Sequence, residues 1–75
     1  MSLEKVFADV FMLPESAVVD TLELNAIPTW DSLTHMMLIV RLEEFYQFQL
    51  TGDEIADMKS VGDARLALRA HGVAV

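Results

Sequence analysis

At 75 residues the chain lies near the lower size limit for a self-sufficient core, so we expect one small domain over 1–75. Such a domain has little room for a pocket that desolvates a substrate on all sides, which sets catalysis by the isolated chain aside. Hydrophobic residues make up 53%, which argues against disorder, and twelve Asp and Glu against five Lys and Arg give a net charge of −7. Nucleic acid and anionic membranes would repel that charge, whereas basic patches on partner proteins would attract it. There is no cysteine for a disulfide or a thiolate metal site. The two distant histidines have no matching carboxylate constellation for a metal. Met1–Lys5 lacks the regions of a signal peptide, and no apolar run approaches a membrane span, so a cytoplasmic, monomeric chain is expected.

Four helices and no strand are predicted. The first runs from Leu3 to Leu13, with Leu3, Val6, Phe7, Val10 and Phe11 on one face, Ser2 as cap and Pro14 as terminator. Residues 14–31 form a long connection carrying Val18, Val19, Leu22, Leu24, Ile27 and Trp30, too apolar for a solvated linker, and are expected to lie across the helices. The second helix spans Ser32 to about Tyr46. Thr51 with Glu54 has the spacing of a capping box, which announces a short third helix over Asp53–Met58 contributing Ile55 and Met58 to the core. Ser60 with Asp63 starts a fourth helix with Val61, Ala64 and Leu68 inside, Arg65 and Arg69 outside, and Gly72 as terminator. The expected architecture is an all-α, small four-helix bundle with a long first loop and a short third helix.

At about 100° per residue, the second helix carries two apolar arcs. His35, Leu38, Ile39, Leu42, Phe45 and Tyr46 form one, broad enough to serve a core. Leu33, Met36, Met37 and Val40 form another, which either docks a partner or is covered by the long loop. Arg41 and Thr34 fall at the back. Glu43 and Glu44 form a solvated face by default, Glu44 on the side of the second arc, where it can meet a basic partner residue.

The junction Trp30-Asp31-Ser32-Leu33 opens this helix. Asp31 is suited to cap it, leaving Ser32 at the first helical position, above free amides and the positive end of the helix dipole. A phosphodiester on that hydroxyl would be well received. Unmodified, Ser32 is an ordinary first-turn serine. His35 lies about one turn on, yet adjacent Asp31 and Ser32 cannot both flank one imidazole in the order a hydrolytic triad needs, so a core-edge or arm-adjacent position is expected. Trp30 reads as a loop anchor beside the helix. His71 lies near the end of the last helix, where a protonated ring is favoured.

With Asp31-Ser32-Leu33 behind a long loop, Leu42-Glu43-Glu44-Phe45-Tyr46 closing the second helix and Val61-Gly62-Asp63-Ala64 opening the last, the chain resembles the acyl carrier protein family, including peptidyl and aminoacyl carriers. The resemblance implies a carrier, not an enzyme. Ser32 would receive 4′-phosphopantetheine from coenzyme A through a phosphopantetheinyl transferase and bear cargo as a thioester. Asp31 would help position that transferase and its magnesium ion. Leu33, Met37, Val40 and Glu44 match helix positions that acyl or aminoacyl ligases and synthases read. Trp30, His35, Met37 and Arg41 depart from the carriers of fatty acid synthesis, which points towards polyketide, nonribosomal peptide or aminoacyl chemistry. The alternative is an unmodified helical adaptor that docks through Leu33, Met36, Met37 and Val40.

Overall fold

The computed structural model describes residues 2–75. It contains α1 (Leu3–Phe11), α2 (Ser32–Tyr46), α3 (Gly52–Asp57) and α4 (Val61–Ala70), with 3₁₀ turns at Glu15–Ala17 and Leu24–Ala26 in the long first loop. Among the described residues there is no strand, only an isolated antiparallel bridge between Glu23 and Ser60.

Local chemistry sets the helix ends. The Ser2 hydroxyl accepts the Lys5 N–H at the start of α1. That helix ends two residues before the expected Leu13, because Met12 turns to left-handed geometry (φ 58°) and returns its N–H to the Ala8 carbonyl. α3 begins and ends one residue earlier than expected. Thr51 is the cap, so Gly52 is necessarily the first helical residue, and the reciprocal Thr51–Glu54 box is present. In α4 the Asp63 N–H donates to the Ser60 hydroxyl at 3.1 Å, and Gly72 takes positive φ beyond its end.

The core gathers Leu3, Val6, Phe7 and Phe11 of α1, Leu38, Ile39 and Leu42 of α2, and Val61, Ala64 and Leu68 of α4. Val18, Leu24 and Ile27 of the long loop are buried with them, as expected of a connection packed across the helices, while Val19 stays exposed. Met58 is buried, but Ile55 is only half-buried, and no residue of α3 itself is fully buried. Phe45, expected on the inner arc, is exposed instead: it lies at the margin of that arc in the last turn and packs edge-on against Tyr46 at 4.7 Å.

Arg65 also departs from expectation. Rather than facing solvent beside Arg69, its guanidinium meets the Glu4 carboxylate and, at 3.0 Å, Asp20, so that it joins α4 to α1 and to the long loop. The Glu4 carboxyl is held below its ordinary value chiefly by the hydrogen bond from Arg65. Backbone pairing completes the seam: Leu24 N–H donates to the Lys59 carbonyl at 2.9 Å, Val61 N–H to Leu22 at 3.0 Å and Gly62 N–H to Asp20 at 2.9 Å. A side chain at Gly62 would place its Cβ 3.0 Å from the Asp20 carbonyl oxygen, so the loop reaches α4 only because this residue is glycine.

Candidate carrier site at the start of the second helix

The segment entering α2 is tied down on both sides. The Thr29 hydroxyl donates to the carbonyl of Phe11 at 2.7 Å, taking up an orphan acceptor at the end of α1. The Asp31 Oδ1 accepts the Thr34 N–H at 2.8 Å, and the Thr34 hydroxyl oxygen accepts the Asp31 N–H at 2.8 Å, a reciprocal capping box. The Thr34 hydroxyl proton has the Thr29 carbonyl at 3.0 Å as an acceptor, which binds the loop into the same cluster. The backbone amide of Thr34 is the main influence holding the Asp31 carboxyl below its ordinary value, followed by the Thr34 hydroxyl. Asp31 is therefore charged at neutral pH and serves as the cap the sequence indicates.

Ser32 follows as the first helical residue and is exposed. It borders a half-open groove of about 610 Å³ between the long loop, the start of α2 and α3. Leu24, Trp30, Met36, Ile55, Ala56 and Met58 supply apolar walls, and the exposed Glu23, Asn25 and Lys59 also line it. A hydroxyl on the first turn of a helix, over its positive dipole end and beside an apolar groove, fits a phosphate-linked arm with an apolar load. The groove is not an enclosed cavity, in keeping with what so short a chain can build.

The two arcs of α2 have separate fates. Leu38, Ile39 and Leu42 are buried, with His35 and Tyr46 at the edge. Leu33, Met36, Met37 and Val40 are 70%, 47%, 44% and 49% exposed, so the long loop does not cover the second arc. Glu44 is exposed on the same side. Glu43 is different: its carboxylate accepts the Leu50 N–H at 2.9 Å and holds the turn that follows α2, so it is not part of a solvated face.

Both histidines are engaged. His35 Nδ1 accepts from the Trp30 indole N–H at 3.1 Å, and His35 Nε2 donates to the Ile55 carbonyl at 3.0 Å. With both ring nitrogens occupied, the imidazole is committed to Trp30 and α3 rather than to Ser32. Trp30 is thus anchored as expected, through His35. His71 closes α4 as its C-terminal cap and meets Glu54 at 2.9 Å, with its ring 5.2 Å from that of Phe48. Spacing alone left four contributors hidden: Thr29, Thr34, Ile55 and Met58 join the site only after the loop and α3 fold over α2. For Thr34 a local signal exists, since it stands three residues after the capping Asp31.

No protein-family model and no curated protein matches the chain. Solved structures do. The holo acyl carrier protein from Geobacter metallireducens is 34% identical, with a TM-score of 0.81 over 91% of this chain and 78% of that one. The holo acyl carrier protein from Nitrosomonas europaea is 24% identical, with a TM-score of 0.80 over 92% of this chain and 89% of that one. The four-helix arrangement, with a long first loop and a short third helix, defines a carrier-type bundle rather than an enzyme fold. The chain belongs to the acyl carrier protein family.

Proposed function

We propose that Ser32 carries 4′-phosphopantetheine and that residues 1–75 act as a single, monomeric carrier domain presenting acyl, aminoacyl or peptidyl thioesters to separate enzymes. The observation that carries this reading is an exposed serine on the first turn of α2, held by the Asp31–Thr34 box beside an apolar groove. The described solved structures of holo carriers support the same reading.

The bound group would supply a terminal thiol, which this cysteine-free chain lacks. Ser32 Oγ would lose its proton and bond to the phosphorus that carries the pantetheine arm, while the pyrophosphate bond of coenzyme A breaks and adenosine 3′,5′-bisphosphate leaves. Asp31 caps the helix so that the hydroxyl stands in a fixed place, and we assign it a second task in seating the transferase and its magnesium ion. Leu33, Met36, Met37, Val40 and Glu44 form the face on which the transferase and the acyl or aminoacyl ligases and synthases dock. An exposed methionine-rich patch repacks readily against more than one partner, as a carrier shared among enzymes requires. An apolar Met37 at a position that is typically acidic in the carriers of fatty acid synthesis, with the positive character that His35 and Arg41 add, favours a specialised biosynthetic pathway in the cytoplasm over general fatty acid synthesis.

Co-expression with a broad-specificity phosphopantetheinyl transferase tests this. The intact protein should gain the mass of one phosphopantetheinyl group, and Ser32→Ala should gain none. An unchanged wild-type mass with several transferases would contradict the carrier role and leave the helical adaptor, docking through the same exposed face.

A further inference from the structure

The tautomer of His35 follows from its partners. The Trp30 indole N–H can only donate, so Nδ1 accepts at 3.1 Å; the Ile55 carbonyl can only accept, so Nε2 bears the proton and donates at 3.0 Å. Ile55 thereby fixes the far edge of the ring and leaves Nδ1 facing Trp30, the two rings edge-on with centroids 6.0 Å apart. With Asp31 as the cap, Trp30 stands just before it and His35 at the fourth helical position. At these two places apolar side chains commonly staple a chain to the helix it enters and fix the angle of entry. Here the staple is an aromatic pair closed by a hydrogen bond.

This staple reaches where the Asp31–Thr34 box does not. The box satisfies amides within residues 31–34. Trp30 lies outside it, with its backbone N–H on the Ile27 carbonyl at 3.0 Å, so its hold on His35 passes the direction of the loop on to α2. Ser32 sits inside both brackets, exposed on the first turn. Its direction is set by the backbone, and that of the backbone by the bonds that enclose it.

We propose that Trp30 and His35 are positioning residues for the modification of Ser32: the bond to Nδ1 holds the loop at one angle to α2, so that Ser32 Oγ meets the phosphorus of coenzyme A in the geometry of attack. This rests on the carrier reading above and extends it by naming a pair that acts on rate rather than on docking. Leu33, Met36, Met37 and Val40 are carried by the helix itself and stay in place when the staple opens. Binding of the transferase is then kept, while fewer of the bound complexes are aligned to react. Nε2 has a separate task, holding α3, none of whose six residues is fully buried.

Two substitutions divide the ring between these tasks. His35→Asn puts an amide oxygen where Nδ1 accepts but falls short of Ile55. His35→Gln reaches Ile55 with an amide N–H but leaves Trp30 without its acceptor. Trp30→Phe keeps an aromatic ring and removes the donor. Each apo protein, with wild type, is modified from coenzyme A by a broad-specificity phosphopantetheinyl transferase, intact mass following the product, and kcat and KM are determined separately. Hydrogen exchange at the α3 amides is measured on the same proteins. In His35→Gln and Trp30→Phe kcat should fall about tenfold, the equivalent of one hydrogen bond felt only in the reacting geometry, with KM near wild type. His35→Asn should restore most of kcat while exchange in α3 quickens; His35→Gln should leave that exchange near wild type. The double variant Trp30→Phe, His35→Gln should lose no more than either single one. A merely structural role for His35 would slow modification and quicken exchange together in both His35 variants, and that result overturns the proposal. An unchanged kcat in His35→Gln and Trp30→Phe does the same, as does a rise in KM alone, which would make Trp30 a docking contact. If wild type itself gains no mass, it is the carrier reading that falls.

Discussion

Ser32 is chemically ordinary, and its neighbours give it a place. Asp31 and Thr34 exchange two 2.8 Å hydrogen bonds across the start of α2, and Thr29 carries the same cluster back to the end of α1. Asp31 as cap is readable from residue type alone, because few side chains accept from a first-turn amide so well. The Thr34 half of that capping box has the same local basis, three residues after the cap, whereas the bond from its hydroxyl to the Thr29 carbonyl is not readable, because it forms only once the loop lies beside α2. Removing that hydroxyl tests the cluster. Thr34→Val leaves the Asp31 Oδ1 bond to the backbone amide but strips the acceptor from Asp31 N–H, so stability should fall by about 1–2 kcal/mol. Urea unfolding measures it, and an unchanged midpoint would show that the loop entering α2 is held by packing alone.

Each helix was legible where its signal is local. Apolar period, Ser2, Thr51 and Ser60 as caps, and Gly72 as terminator all lie within one turn of the ends they set. What escaped depends on other elements: Arg65 turned inward to meet Glu4 and Asp20, and Glu43 reached forward to Leu50. α3 is the element most dependent on such bonds. Its Glu54 closes the capping box with Thr51 and pairs with His71, and the Thr51 amide, then His71, hold its carboxyl below the ordinary 4.5. A depressed folded value means that the contribution of Glu54 is fully present above 4.5 and is lost as pH falls through the lower folded value. Glu54→Gln can still close the box but carries no charge, so its stability should decline less steeply on acidification than wild type. Hydrogen exchange at the α3 amides should show the same difference; identical acid profiles for the two proteins would remove Glu54 from the account.

At the scale of the whole molecule, the long loop joins the bundle together rather than merely linking two helices. Val18, Leu24 and Ile27 enter the core, and the Leu22–Leu24 backbone pairs with residues 59–61. The apolar content of the loop announced its packing, but not the groove that appears between loop and α3, because no periodic pattern encodes a space. Gly62 is where loop and α4 come closest. Gly62→Ala would gain about 1 kcal/mol of helix propensity. The new Cβ, however, meets the Asp20 carbonyl oxygen at 3.0 Å while Arg65 holds the same residue, so the loop cannot simply withdraw. Overpacking of this kind costs about 1–3 kcal/mol, and the variant should melt below wild type; a higher melting temperature would mean that the seam is loose. The central claim, that this fold exists to present Ser32, is tested most directly by treating the purified chain with coenzyme A and a phosphopantetheinyl transferase and mapping the product by peptide mass spectrometry. The account predicts one modified peptide, with the group on Ser32. Modification at another residue, or none while the bundle remains folded, would contradict it.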